Sequence, residues 1–317
     1  MPRLARRTAT VAARFLALAL LLFSAALCSA QPALYQPGSP IFLWKISSPK
    51  NSAYLLGSLH VAQSSFYPLP MEMDRAFNDS DVLVVEVDMT QVDMEKLQKL
   101  TFELGTYPAG DDLPRHLKPA TVERVKKFCV DSGLPYDSVQ HLKPWLISLL
   151  VTQNVLNKSG FDAKYGIDLH YLQTPGPHRV DQLETAGEQM RLIAASTTDD
   201  ADTTLSHLFA HIDRQKEITT RMVDAWGHGE AVKLDELVAE LMKDSTPGER
   251  QQMRRLNEER NPHMAAHIEE CLASSDHCFM VVGALHLVGK EGILSLLQSK
   301  GYKIEQVKLA AEKAKEN

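Results

Sequence analysis

The sequence predicts an α/β fold, with a central, mostly parallel sheet that carries a large helical insertion. Short apolar runs typical of strands occur near both ends of the 317-residue chain, and helical periodicity fills its middle. Two of the apolar runs lack the alternation of half-exposed strands, as strands buried on both faces of a parallel sheet do. The length allows one or two domains, and strands at both ends favour one α/β unit with inserted helices.

The first thirty residues are predicted to be a secretory signal peptide. Arginines precede a 14-residue apolar run that extends from Phe15 to Cys28 and is followed by small residues. Cleavage before Gln31 would leave a signal peptide (1–30) and a single α/β domain (31–317). The run is shorter than the ~20 apolar residues of a spanning helix. An uncleaved membrane anchor and lipidation of Cys28 are the alternatives.

Charge restricts the partners of the mature chain. The signal peptide holds four of the 34 basic residues and no acidic one, so cleavage leaves 30 basic against 40 acidic residues, a net charge of −10. Such a chain lacks the basic surface that nucleic acid requires. We therefore expect no nucleic-acid partner, no stable membrane insertion after cleavage, and a periplasmic or secreted location.

The strands and helices follow from apolar patterning and from proline positions. The segments that predict strands are 41–46, 54–57, 81–87, 278–283 and 302–307, with 178–180 as a weaker candidate. The segments that predict helices are 70–77, about 91–172, about 187–273 and 289–299. Pro119 and Pro144 each fit the first turn of a helix, because proline is pre-organised for that position.

Cysteine spacing predicts one disulfide. Cleavage leaves three cysteines, Cys129, Cys271 and Cys278. A turn-rich segment of six residues, Leu-Ala-Ser-Ser-Asp-His, separates the last two, and an oxidising compartment favours a small-loop disulfide between them. Cys129 lies in a helical pattern and is expected to be a buried thiol.

Two predicted strands end in the same pattern, Gly-x-x-His. In the first, Gly57 precedes His60, and in the second, Gly283 precedes His286. Because ligands bind outside the carboxyl ends of parallel strands, both imidazoles are expected to reach one rim of the sheet. The glycines suit a sharp turn or a close approach of the backbone.

Glu86 is the third candidate, since it lies near the end of the apolar run 81–87. A buried carboxylate needs a cation, a metal or strong donors. With His60 and His286 it would form a site for a divalent metal (Zn, Mn, Co or Fe) that keeps an open coordination position. Such a site predicts hydrolytic chemistry. A structural ion pair with an arginine is the alternative.

Other polar residues have competing interpretations. Glu184 follows the weak strand candidate and is a possible ligand, a general base or a cap of the next helix. Asn261 precedes Pro262, so capping alone explains it, and the same ambiguity extends to Arg260. No nucleophile elbow or phosphate loop is present in the sequence. Two i,i+4 histidine pairs lack the glutamate of zinc-protease helices and are not predicted metal sites: His207 with His211, and His263 with His267.

Together these motifs resemble the TraB/PrgY/GumN family, whose animal relatives include the Tiki metalloproteases. The resemblance extends over about 42–307. It rests on ordered blocks, namely Leu43-Trp44-Lys45-Ile46, residues 54–61, residues 66–70, Val84 to Asp88, Gly166-Ile167-Asp168, Leu183-Glu184-Thr185 with Gln189, Arg260-Asn261, and Val282 to Gly289.

The resemblance implies an α/β fold with a helical insertion and one site built from the paired motifs and acidic residues. It implies metal-site or catalytic roles for His60 and His286, with Glu86 as their companion acid. Glu184, Arg260 and Asn261 would be further site residues, Arg260 as a stabiliser of a developing oxyanion. Ser58 stands where the family more often has Thr, which keeps the hydroxyl.

The function is less constrained than the fold, because one fold supports several activities. Proteolysis resembles only the Tiki branch, and other relatives resemble regulators that block or sequester peptide signals. We expect an exported, metal-dependent hydrolase that acts on peptides. The alternative is a non-catalytic protein that binds a peptide or another ligand in the same cleft.

Overall fold

The computed structural model describes residues 35–176, 178–196 and 199–311. The predicted signal peptide and Cys28 lie outside the described residues. The described part of the chain contains one six-stranded sheet. Its strands are β1 (Pro40–Ser47), β2 (Ser52–Ser58), β3 (Val82–Val85), β4 (Arg179–Gln182), β5 (Cys278–Gly283) and β6 (Lys303–Lys308).

The sheet has the order β4-β3-β5-β2-β1-β6. Strands β4, β3, β5 and β2 run parallel to one another, whereas β1 pairs antiparallel with both β2 and β6. All residues of β3 are buried, and in β5 all but Gly283 are buried, as expected for strands covered on both faces. The predicted α/β class with a mostly parallel sheet is confirmed.

Most of the helices lie in the two long connections on either side of β4. The helices are α1 (Met71–Asn78), α2 (Met94–Gly105), α3 (Pro119–Ser132), α4 (Tyr136–Val139), α5 (Pro144–Lys158), α6 (Ile167–Gln173), α7 (Ala186–Ser196), α8 (Ala201–Gly227), α9 (Ala231–Lys243), α10 (Pro247–Met253), α11 (Asn261–Ala273) and α12 (Ile293–Ser299). A π-helical turn at Arg254–Glu258 follows α10 directly and leads into α11.

Proline marks two helix starts as predicted, because α3 and α5 begin at Pro119 and Pro144. The predicted start of the last helix at Gly289 is wrong, since α12 begins at Ile293. Gly289 adopts a left-handed φ of 85°, and the Gly292 amide closes a turn on its carbonyl. A left-handed residue cannot continue into a right-handed helix, so the helix starts after this turn.

The inserted helices form a core of their own beside the sheet. Leu113, Val125, Ile147 and Leu205 are fully buried in it, together with Cys129, whose thiol is free and buried as predicted. The predicted disulfide is present between Cys271 at the end of α11 and Cys278 at the start of β5. Within residues 35–311, none of the described helices combines the length and apolar composition that a membrane crossing requires.

Candidate functional site

Four neighbouring parallel strands each place one polar side chain at the same edge of the sheet. Glu86 directly follows β3, Glu184 and His60 come two residues after β4 and β2, and His286 comes three residues after β5. Strand β3 is shorter than predicted and ends at Val85, so Glu86 lies beyond the strand. The adjacent strand ends explain how residues far apart in sequence meet.

The two glycines of the Gly-x-x-His motifs serve different purposes. A Cβ at Gly57 would lie 2.6 Å from a ring carbon of Phe42, so this glycine is required by packing. The Gly57 carbonyl also accepts a 2.6 Å hydrogen bond from the buried Trp226 indole. At the other motif, the Gly283 amide donates to Glu86 Oε1 at 2.7 Å, and a Cβ there would lie 3.3 Å from His60 Nε2. Gly283 therefore leaves room inside the site.

Glu86 lies between the two imidazoles. Its Oε1 is 3.9 Å from His60 Nε2 and 3.7 Å from His286 Nε2. Arg260 Nη2 donates to Glu86 Oε2 at 2.6 Å and also to Glu184 Oε1, while Arg260 Nη1 lies 3.2 Å from His286 Nε2. One guanidinium thus contacts two carboxylates and one imidazole. The ion pair of Glu86 with an arginine, weighed from the sequence as an alternative to a metal, is present.

The orientation of His60 is fixed by a carboxylate. Gly166 packs so closely that a Cβ would lie 2.5 Å from the His60 carbonyl oxygen, and the Ile167 amide donates to Leu59. This contact starts α6 beside the site and brings Asp168 Oδ1 to 3.1 Å from His60 Nδ1. Because an ionised carboxylate only accepts, Nδ1 carries a hydrogen and Nε2 faces Glu86.

The orientation of His286 is fixed by an amide. Asn261 Nδ2 donates to the Glu291 carbonyl at 2.7 Å, which leaves Asn261 Oδ1 as the acceptor for His286 Nδ1 at 2.7 Å. The Nε2 of His286 therefore holds the lone pair, and the Arg260 guanidinium donates to it.

The capping interpretations of Asn261 and Glu184 are wrong. Asn261 is the first residue of α11 and makes no side-chain cap, since its amide holds His286 instead. The start of α7 is capped reciprocally by Thr185 and Glu188, so Glu184 is free to contact Arg260. Sequence alone cannot separate these roles, because a residue before a helix suits both a cap and a site.

A π-helical turn sets the position of Arg260. Such turns are rare and occur frequently at functional sites. The turn at Arg254–Glu258 directs the Leu256 carbonyl to Arg260 Nη1, which donates to it at 2.7 Å. The Leu256 carbonyl thereby fixes Nη1, while Nη2 of the same guanidinium donates to Glu86 and Glu184.

Burial and charge shift the titration of the site residues. Burial alone would raise the pKa of Glu86, but His60, His286, Arg260 and the Gly283 amide outweigh it and lower the pKa to about 2. Burial lowers the pKa of His286 to about 4, and Arg260 acts in the same direction.

His60 and Glu184 are shifted upwards. Desolvation opposes protonation of His60, but its bond to Asp168 and the charge of Glu86 raise its pKa to about 9. Burial, together with the nearby charge of Glu86, raises the pKa of Glu184, although Arg260 opposes this. Shifted pKa values of this kind cluster at functional sites and also occur in structural ion-pair networks.

Sequence reasoning assigned no role to several residues that complete the site. Asp168 and Gln189 occur in the blocks that carry the family resemblance, but only the structure shows that Asp168 holds His60 and that Gln189 Nε2 donates to Glu184 Oε1 at 3.1 Å. Trp226 had no signal beyond its apolar character. The buried Ser58 hydroxyl, which makes no hydrogen bond within the described residues, also lines the site.

The arrangement of side chains only partly matches the predicted metal site. Among the described residues, no group of three His, Cys, Asp or Glu side chains stands in a geometry ready to hold a metal ion. The donor types nevertheless suit a divalent cation, because His60 and His286 direct Nε2 at the same Glu86 oxygen and have their Nδ1 atoms held by oxygens. A cation would have to displace the proton that the raised pKa keeps on His60. Arg260 now contacts the Nε2 of His286 that such a cation would need.

The cluster opens into a cleft of about 430 Å³. Apolar side chains surround the polar groups, among them Met222 of α8 and Leu234 of α9. His60 is the accessible member, with 59% of its side chain exposed, whereas Glu86 is 6% exposed. A cleft of this size and lining is typical of sites for small ligands or short stretches of peptide.

Comparison with known proteins places this chain among similar sequences. A model of the TraB/PrgY/gumN family matches residues 42–306. The chain is 21% identical over 252 residues to the uncharacterized protein YbaP of Shigella flexneri, covering 78% of this chain and 88% of that protein. It is 21% identical over 251 residues to YbaP of Escherichia coli (strain K12), covering 77% and 87%. No solved structure matches it significantly.

Proposed function

This chain belongs to the TraB/PrgY/gumN family, and from that membership and the geometry of the site we propose that it is an exported, metal-dependent hydrolase that acts on peptides. The observation that carries the proposal is the pair of imidazoles directed at one buried carboxylate oxygen, each with its Nδ1 held by an oxygen acceptor. Metal-binding histidines are held in this way by outer carboxylates or carbonyls.

His60, Glu86 and His286 would hold the cation, and Asp168 and Asn261 would orient the two histidines. When bound, a divalent cation supplies Lewis-acid polarisation of a carbonyl group. Zn, Mn and Co all suit imidazole and carboxylate donors, so this donor set selects none of them.

Glu184 and Arg260 would act on the substrate. Glu184, with its raised pKa and an Oε2 without a partner among the described residues, would accept a proton from water and pass it to the leaving amine. In this hydrolysis the peptide C–N bond breaks and the acyl carbon gains the hydroxyl. The guanidinium of Arg260 would stabilise the charge that develops on the carbonyl oxygen.

Export is part of the proposal. The disulfide between Cys271 and Cys278 supports it, because disulfides persist in oxidising compartments and are rare in reducing ones. The predicted signal peptide agrees with that location.

A non-catalytic role is the second candidate, and one observation favours it. Arg260 already forms ion pairs with Glu86 and Glu184 and donates to the lone pair of His286, so these polar groups have protein partners without a metal. In that case the cleft would capture a peptide or a small ligand without turning it over.

The deciding experiment measures metal content and turnover on the same preparation. Exported protein would be analysed for its elements and then screened against a peptide library with and without chelator. Stoichiometric metal and chelator-sensitive cleavage are expected. Tight capture of peptides without metal or cleavage would favour the binding role.

Histidine variants test whether one ion is shared. His60→Ala and His286→Ala should each abolish metal binding with little loss of secondary structure, and the double variant should add almost nothing. His267→Ala, on the exposed half of α11, is the matched control and should retain the metal. Separate, additive losses would contradict a shared site.

A further inference from the structure

A second cavity adjoins the cleft. It has a volume of about 300 Å³ and is enclosed by α5, α7, α8, α9, α10 and the π-helical turn. Three residues, Ile193, Leu256 and Asn257, line both this cavity and the site cleft, so the two spaces share a wall. We call this cavity the helical pocket.

The walls of the helical pocket are largely apolar. Trp145 and Leu208 line it and are only 5% and 7% exposed, and Leu149, Met242 and Met253 add further apolar surface. Protein interiors leave few voids larger than a water molecule, so an apolar space of this size is unusual in a packed helical core. Its volume is at the lower end of the range for ligand pockets.

Four charged or titratable groups at the polar end of the pocket are paired within the protein. His207 has Nδ1 2.8 Å from Glu249 Oε1 and Nε2 2.9 Å from the Asp244 carbonyl, and Arg214 forms an ion pair with the Asp244 carboxylate. Because these charged groups are already matched with one another, they offer little attraction to an ionic ligand. The occupant that the lining favours is therefore apolar.

The shared wall links the pocket to the chemistry of the site. Leu256 lines both spaces, and its carbonyl accepts the hydrogen bond from Arg260 Nη1. A side chain in the pocket would press on the turn that holds the guanidinium. Peptide bound along the shared wall would therefore lie in the cleft that Glu86 and Arg260 line.

We propose that the helical pocket is the specificity site of the enzyme and takes a large apolar side chain, aromatic or branched aliphatic, of the peptide substrate. This inference rests on the proposed function for its substrate. It assigns the chemistry to the sheet edge and the choice of peptide to the inserted helices.

The test uses direct binding, which needs no turnover. Fluorescein-labelled octapeptides of Gly and Ser with one central Phe, or with Asp in its place, would be titrated into the full exported protein, and anisotropy measured in chelator. We expect the Phe peptide to bind at least 10-fold more tightly than the Asp peptide. Equal binding of the two peptides would overturn the proposal.

Filling the pocket should abolish the preference. Leu149 is 41% exposed on α5 and lines the pocket, so Leu149→Trp should reduce binding of the Phe peptide about 10-fold. Val130→Trp, at a position 80% exposed on α3, is the matched control and should bind as the unmodified protein does. Unchanged binding by folded Leu149→Trp would refute the assignment.

If Leu149→Trp does not fold, a second measurement tests the same proposal. Saturating Phe peptide should shift the tryptophan emission of the unmodified protein, and Trp145→Phe should remove that shift. A shift that persists in Trp145→Phe would place the peptide elsewhere and overturn the inference. If the protein prefers the Phe peptide but cleaves no peptide with any metal, only the proposed hydrolase function is refuted. If it cleaves peptides but does not prefer the Phe peptide, only the specificity role of the helical pocket is refuted.

Discussion

Removing the negative charge of Glu86 should destabilise the fold strongly. Glu86 is 6% exposed and accepts hydrogen bonds from Arg260, Gly283 and Gln189. Glu86→Gln keeps the shape but leaves the buried guanidinium with one carboxylate, Glu184. Breaking a buried ion pair from one side costs about 3–5 kcal/mol.

The lowered pKa of Glu86 reflects the same contacts. The folded protein lowers this pKa from 4.5 to about 2, so the site favours the charged form of Glu86 over the neutral form. We therefore expect Glu86→Gln to lose about 3 kcal/mol of unfolding free energy. That is a large fraction of the 5–15 kcal/mol typical of a folded domain.

The assay is urea unfolding followed by circular dichroism at pH 7 in chelator, so that no metal contributes. Glu123→Gln is the control, because the Glu123 side chain is 70% exposed on α3. This variant should lose less than about 0.5 kcal/mol of unfolding free energy. A loss below about 1 kcal/mol for Glu86→Gln would refute the reasoning.

Three further predictions concern other parts of the fold. Gly57→Ala should lower the free energy of unfolding by about 1–3 kcal/mol, because the added methyl group overpacks the core. Gly283→Ala should impair metal or ligand binding more than stability. Equal unfolding midpoints for the two variants would contradict this division. Without reductant, Cys271 and Cys278 should resist alkylation, and replacing both by Ser should cost about 2–3 kcal/mol for a loop this short; labelling of both thiols would disprove the bond. Asp202→Asn should cost about 2 kcal/mol at pH 7, because a hydroxyl hydrogen bond lowers the pKa of Asp202 below its ordinary 3.8. The contribution of the Asp202 charge to stability is present above pH 4 and is lost as the pH falls further. A difference in unfolding free energy between Asp202→Asn and the unmodified protein that stays constant down to pH 2 would contradict this prediction.

Sequence patterning located most of the sheet and two of the helix starts. The apolar run 278–283 coincides with β5, and Pro119 and Pro144 begin helices, because burial and proline geometry act locally. The turn at Gly289 was missed, since a glycine in a helical pattern does not reveal a left-handed φ.

The site was predictable in outline only. The repeated Gly-x-x-His pattern and the buried position of Glu86 indicated a common rim by themselves, because parallel strands end on one side of a sheet. Nothing in the sequence showed that Arg260 bridges Glu86 and Glu184, because ion pairing depends on distances between segments 76 to 174 residues apart.

The amino-acid order alone therefore determined which segments are buried strands, where two of the helices begin and which polar groups follow strands, since these depend on neighbours along the chain. Only the tertiary structure decided that Asp168 and Asn261 orient the histidines and that Asn261 does not cap its helix. Hydrogen bonds are directional and short, so their partners are chosen after the strands and helices have packed.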